Sequence, residues 1–288
     1  MSLLTVSTLR ELRDFVQQAR TKGLSVGFVP TMGNLHAGHM SLVKQASKLC
    51  DVVVASIFVN PLQFDDKNDL TNYPRTLEQD QRLLEENHCT LLFTPTVDEM
   101  YPNGQGSQTI VSVPDVSMGL CGGSRPGHFD GVATVVSKLF NMVQADKAFF
   151  GEKDYQQLAV IRKMVADLCI PIEIIGVAIE RNEEGLALSS RNGYLTPVEL
   201  AQAASIYKVL EGVSSAIKQG NDFSSTLEQA QQRLQEQGFK VDYIELCRQS
   251  DLKPATINDD KLVVLVAALL GKARLIDNLA FSLNRADD

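Results

Sequence analysis

Ser25-Val26-Gly27-Phe28-Val29-Pro30 and Asp51-Val52-Val53-Val54-Ala55-Ser56-Ile57-Phe58-Val59-Asn60 decide the fold. The first is a short apolar strand signal. The second is a nearly unbroken apolar run, as expected of a strand covered on both faces. Between them, from His39 to Cys50, apolar side chains fall at Leu42, Val43, Ala46, Leu49 and Cys50, a helical spacing that leaves Lys44 and Lys48 to solvent. Strand, helix and strand in that order make a βαβ unit, the building block of a parallel sheet.

Downstream the alternation continues. Leu77 to Asn87 reads as a helix, with Thr76 and Gln79 placed for a capping box, and Thr90 to Thr94 as a strand. Phe129 to Val143 and Asp154 to Cys169 read as helices, Lys147 to Gly151 and Ile172 to Ile179 as strands. After Ser189-Ser190-Arg191-Asn192 the character changes. Thr196-Pro197-Val198-Glu199 joins a cap, a proline at the first helical position and a glutamate at the third. Two helices, to about Gly220 and from about Ser224 to Gln237, then precede strands near Tyr243 to Cys247, Leu262 to Leu269 and Ala273 to Asn278. The expected class is α/β: a Rossmann-like, mostly parallel sheet in residues 1–179 and a smaller α+β C-terminal domain in residues 180–288.

Composition narrows the function. With 288 residues, 44% hydrophobic and 22% charged, the chain has the make-up of a soluble globular protein. A net charge of −8 repels a phosphate backbone and no long basic run offsets it, so no nucleic-acid partner is expected. Met1 to Arg20 lacks the pattern of a secretory leader, and the longest apolar run, Leu262 to Leu270, falls short of the roughly 20 residues needed to span a bilayer. Cytoplasmic residence without a membrane partner is the expectation. The five cysteines are scattered with no C-x-x-C pair, which favours reduced, mostly buried thiols over a disulfide framework or a structural zinc site.

Pro30-Thr31-Met32-Gly33-Asn34-Leu35-His36-Ala37-Gly38-His39 joins the first strand to the first helix and holds two of the four histidines. The carboxyl end of a parallel strand is where open α/β sheets bind ligands, and a helix N-terminus offers unpaired N–H groups to an anion. His36 and His39, three apart, can lie side by side there and face one phosphate. Local capping is the plainer use of such a pair. Metal ligation needs a third ligand, and His88 and His128 show no ligand spacing.

Three further segments sit at comparable junctions. In Phe150-Gly151-Glu152-Lys153-Asp154-Tyr155-Gln156-Gln157, Lys153 supplies a point charge for a phosphate, and Gln157 can donate to and accept from a hydroxy acid. In Leu188-Ser189-Ser190-Arg191-Asn192, two hydroxyls and a guanidinium suit pyrophosphate oxygens, each charge-assisted bond contributing roughly 1.5–3 kcal/mol. In Asn60-Pro61-Leu62-Gln63-Phe64, Gln63 follows the second strand at the same sheet edge as the histidines.

These segments, with Tyr73-Pro74-Arg75-Thr76 and Arg125-Pro126-Gly127-His128-Phe129-Asp130-Gly131-Val132, resemble over nearly the whole chain the pantothenate synthetases, a family of the H-x-G-H nucleotidyltransferase superfamily. The resemblance implies ATP-dependent condensation of (R)-pantoate with β-alanine through a pantoyl-adenylate, releasing AMP and pyrophosphate. It implies an ATP site made of Met32, Gly33, Asn34, Leu35, His36, Ala37, Gly38 and His39, of Gly151, Glu152, Lys153 and Asp154, and of Leu188, Ser189, Ser190 and Arg191. Adenine is expected against backbone near Glu180, where many members carry an apolar residue. His39 is implied as the catalytic proton donor, with His36, Lys153 and Arg191 as the other catalytic groups. Gln63 and Gln157 are implied to hold pantoate, Gln63 also lying near β-alanine. Mg²⁺ is expected to bridge phosphate oxygens while keeping several waters, with Asp80, just after Tyr73–Thr76, as a candidate for a contact behind it, and the family likeness implies a homodimer. Because a mixed anhydride hydrolyses in water, the smaller domain is expected to close as a lid hinged near Glu180 to Gly185.

Overall fold

The computed structural model describes residues 2–64 and 67–283. Strands β1 (Leu4–Val6), β2 (Val26–Thr31), β3 (Val52–Ile57), β4 (Leu91–Phe93), β5 (Lys147–Gly151) and β6 (Glu173–Val177) form one sheet in the order β1-β4-β3-β2-β5-β6. Every pairing in it is parallel. The alternation of side chains along these strands builds two apolar layers. Val26, Phe28, Val54, Leu91, Phe93 and Phe150 face one layer, with the Leu9–Thr21 and His128–Val143 helices. Val29, Val53, Ala55, Leu92 and Phe149 face the other, against the Ala37–Leu49 helix. Both faces are covered, which is why Val52–Ile57 reads as an apolar run interrupted only by Ser56.

The second sheet is antiparallel, β7 (Lys240–Arg248), β8 (Lys261–Leu270) and β9 (Ala273–Ser282) in that order. The Ser205–Lys218 and Phe223–Glu236 helices pack with it around a separate core whose buried members run from Leu186 to Phe281.

Local readings hold with a few corrections. Thr196 and Glu199 form the expected capping box. Thr76 precedes the Leu77–Glu86 helix but makes no side-chain cap, because its hydroxyl donates instead to Asp80 Oδ1 at 3.1 Å. Where two helices are expected before β7, three are present, since the first is divided at Ala204 into Pro197–Ala203 and Ser205–Lys218. β1 and the Leu9–Thr21 helix add to the expected elements; Thr8 and Glu11 make a full capping box for that helix, and Leu12, Val16 and Ala19 form its buried stripe.

Candidate active site

The chain leaves β2 towards β3 on one side, and β5 later pairs with β2 on the other. The strand order reverses at that place, and the crevice between the carboxyl ends of β2 and β5 is the topological position for a ligand. The segments that follow these two strands are Met32 to His39 and Glu152–Asp154, so topology alone brings together motifs distant in sequence.

The first loop turns through left-handed backbone at Gly33 (φ 83°) and Asn34 (φ 52°). Gly33 suits the left-handed φ, and a Cβ there would press at 3.1 Å on both Asp80 Oδ2 and Ile57 Cγ2. Asp80 is 1% exposed. Its carboxylate accepts from the backbone N–H of Asn34 at 3.0 Å and of Leu35 at 2.8 Å. With the Thr76 hydroxyl as third donor, both oxygens are engaged in fixing the loop.

His36 caps the Ala37–Leu49 helix, its Nδ1 accepting the Gly38 N–H at 3.1 Å. His39 Nδ1 in turn accepts the His36 N–H at 3.3 Å, and the ring centroids stand 4.2 Å apart. A backbone N–H can only donate, so each Nδ1 is an acceptor and each neutral ring carries its proton on Nε2. Burial pushes His36 from 6.5 down to about 4, helped by the charge of Lys153 and opposed by Asp154. His39 falls to about 3, chiefly through burial and then through His36. The pair therefore offers Nε2–H hydrogen bonds from neutral imidazole.

Both folded values lie below the ordinary 6.5, so the contribution of the two rings to folding is whole above that pH and is lost as pH falls towards 4 and 3. Two-bond ¹H–¹⁵N spectra should show both rings as the Nε2–H form from pH 8 to about 5. Either ring titrating near 6.5 would refute the assignment.

Lys153 Nζ stands 3.7 Å from Asp154 Oδ2 across from the histidines. The third segment arrives through a small hairpin in which Arg181 bridges Ala187 and Glu180 O accepts the Leu188 N–H at 2.9 Å. Ser189 caps the short Ser190–Tyr194 turn, accepting from the Arg191 N–H at 3.3 Å. Ser190 donates to Asn34 O at 3.2 Å, which ties this turn to the histidine loop.

A cavity of about 240 Å³ results, lined by Met32, His36, Gly38, His39, Gly151, Lys153, Asp154, Glu180, Leu188, Ser189, Ser190 and Arg191. Gln63 and Gln157 line it too. Lys153, Asp154, Gln157, Ser189 and Arg191 also border a neighbouring cavity of about 730 Å³ beneath β8 and β9. Gly33, Asn34, Leu35, Ala37 and Glu152 do not line the smaller cavity. Leu35 is buried in the apolar layer, and Asn34 is held through its backbone N–H and O to Asp80 and Ser190. Among the described residues no group of three or more His, Cys, Asp or Glu is placed to hold a metal ion.

Gln63 is held by residues to which the sequence reading gave no role. Its backbone O accepts from His128 Nδ1 at 2.8 Å and Arg125 at 3.2 Å, and its side-chain Oε1 from Asn60 Nδ2 at 3.1 Å. Asn60, 1% exposed, also accepts the Tyr101 hydroxyl at 2.7 Å and donates to Gly131 O at 3.1 Å. A Cβ on Gly131 would meet Leu62 O at 2.3 Å, so only glycine lets the His128–Val143 helix approach this turn. The signal was the Arg125-to-Val132 block itself, whose glycine and histidine sit at a helix start.

A family model described as Pantoate-beta-alanine ligase matches residues 4–280. A Pseudomonas putida protein named pantothenate synthetase is 59% identical over 276 residues, covering 96% of this chain and 96% of that protein. The crystal structure of pantothenate synthetase from Thermus thermophilus superimposes with a TM-score of 0.88 at 45% identity, covering 96% of this chain and 98% of that one. That of a Francisella tularensis pantoate-beta-alanine ligase, complexed with beta-gamma ATP and beta-alanine, gives 0.80 at 35% identity, covering 96% and 97%. By sequence over nearly its full length and by fold, this chain belongs to the pantoate-beta-alanine ligase family.

Proposed function

We propose that the family's ATP-dependent ligation of pantoate to β-alanine runs in this chain through a pantoyl-adenylate formed in the cleft between β2 and β5. The observation that carries the assignment is the convergence of the paired imidazoles, Lys153 and the Ser189–Arg191 turn on one cavity that also holds Gln63 and Gln157.

A carboxylate is a poor electrophile, so amide formation needs a leaving group. A pantoate carboxylate oxygen attacks the α-phosphorus of ATP, a new P–O bond forms and pyrophosphate leaves. The β-alanine amine then attacks the acyl carbon, a C–N bond forms and AMP departs. No residue has to be acylated. Charge grows on phosphoryl oxygens in the first step, where Nε2–H of His36 and His39, the Lys153 ammonium, the Arg191 guanidinium and the Ser189 and Ser190 hydroxyls stabilise it. Gln63 and Gln157 orient pantoate, and adenine lies along backbone at Glu180. With Asp80 committed to the loop, Asp154 and Glu180 are the carboxylates on the cleft wall, and Asp154, beside Lys153, would be the one to face a nucleotide-borne Mg²⁺, which would supply neutralisation of phosphate charge.

The unit from residue 180 onward is the cover that keeps water from the anhydride, and a cytoplasmic homodimer belongs to the same proposal. No helix among the described residues is long and apolar enough to cross a membrane. With ATP, pantoate and Mg²⁺ but no β-alanine, the enzyme should exchange labelled pyrophosphate into ATP while releasing AMP slowly, and β-alanine should release AMP at once. Exchange that does not depend on pantoate would refute the adenylate, and fast AMP release without β-alanine would refute the cover.

A further inference from the structure

The Lys153 loop is gripped from outside its own sheet. β5 ends at Gly151 and the next helix begins at Tyr155; between them lies one short turn, Glu152–Asp154, and Asp154 makes no side-chain cap to the helix that follows. Asn278, on β9, directs Nδ2 at Glu152 O (2.9 Å) and at Lys153 O (3.0 Å). Both partners are acceptors, so the amide nitrogen must face them, and its two N–H groups match two carbonyls.

Asn278 is 4% exposed and Asp277 5%. Asp277 Oδ1 accepts the Asn278 N–H at 2.8 Å, and its carboxylate takes two bonds from Arg181, at 2.6 and 2.8 Å. Arg181 lies 3.7 Å over the Tyr207 ring and donates to Gly185 O at 3.0 Å, inside the hairpin that delivers Ser189–Arg191. One bracing chain therefore runs from that hairpin through β9 to the backbone of Lys153.

We infer that Asn278 is the positioning residue for Lys153, setting where its ammonium meets the nucleotide phosphates. The inference rests on the phosphate role proposed for Lys153 above. Asn278 reaches Lys153 only through backbone carbonyls, so its effect passes entirely through where that loop sits. A misplacement of about 1 Å in a catalytic group can cost ~10²-fold in rate.

The test is single-turnover pantoyl-adenylate formation at saturating ATP and pantoate for Asn278→Ala and Asn278→Leu, each alone and with Lys153→Ala. Asn278→Leu keeps the branched side-chain outline and loses both donors without burying a second carboxylate beside Asp277, so it answers the question should the alanine variant misfold. Each single variant should still unfold cooperatively, at a lowered thermal midpoint because two buried carbonyls lose their donor, and should lose roughly 10- to 100-fold in rate, but nothing further in the Lys153→Ala background. Parent-like rates in both, or an equal loss with and without Lys153, would overturn the positioning role. Normal adenylation by Lys153→Ala alone would instead remove the phosphate role of Lys153, and this inference with it.

Discussion

Replacing Lys153 or His39 with alanine should slow pantoyl-adenylate formation by roughly 10²-fold or more, the scale for removing one donor aimed at transition-state charge. Lys153 has a side chain only 18% exposed, so its ammonium acts in a partly desolvated cleft where a single charge counts for more than in water. His39 has two separable jobs: Nδ1 accepts the His36 N–H, and Nε2–H, on a ring that lines the cleft, is the donor proposed for a phosphoryl oxygen. His39→Asn places a polar atom near Nδ1 and keeps the cap, whereas His39→Gln reaches the Nε2 position and keeps the donor. If the donor carries the catalysis, the Gln variant retains more adenylation than the Asn variant; the reverse order would make His39 a capping residue only. Normal single-turnover rates in both alanine variants would remove both residues from the mechanism.

How much of this was legible before the structure depends on the kind of physics each feature uses. Strand and helix order could be read, because burial on both sheet faces leaves nearly unbroken apolar runs such as Val52–Ile57 and burial of one helix face leaves a periodic stripe. The histidine pair was legible too, since three-residue spacing at a helix start fixes the geometry that the rings adopt. Which residues of Met32 to His39 face the cleft was not, because that depends on two left-handed residues and on a buried Asp80 contributed by another element. β9 shows the limit best. Its sequence reads as a strand ending at Asn278, because two adjacent polar residues look like the return to solvent. The strand runs on to Ser282, and the polar pair is buried because each member has a partner far away in sequence.

That buried pair sets the largest expected effect on stability. Arg181→Met should destabilise the protein by about 3–5 kcal/mol in urea unfolding, the cost of leaving a buried carboxylate without its partner. The side chains of Arg181 and Asp277 are 15% and 5% exposed, so water cannot replace the two lost bonds at low cost. Adding Asp277→Leu should recover most of the loss, since two apolar groups there need no partner. Adenylation should not recover with it, because the Asp277 carboxylate also receives the Asn278 N–H that orients the grip on Glu152 and Lys153. Stability restored without rate would mean that the ion pair is kept for the geometry it imposes on the site, at no net gain in folding. A loss below about 1 kcal/mol for Arg181→Met would put the pair among solvated surface bridges and leave Asn278 without its anchor.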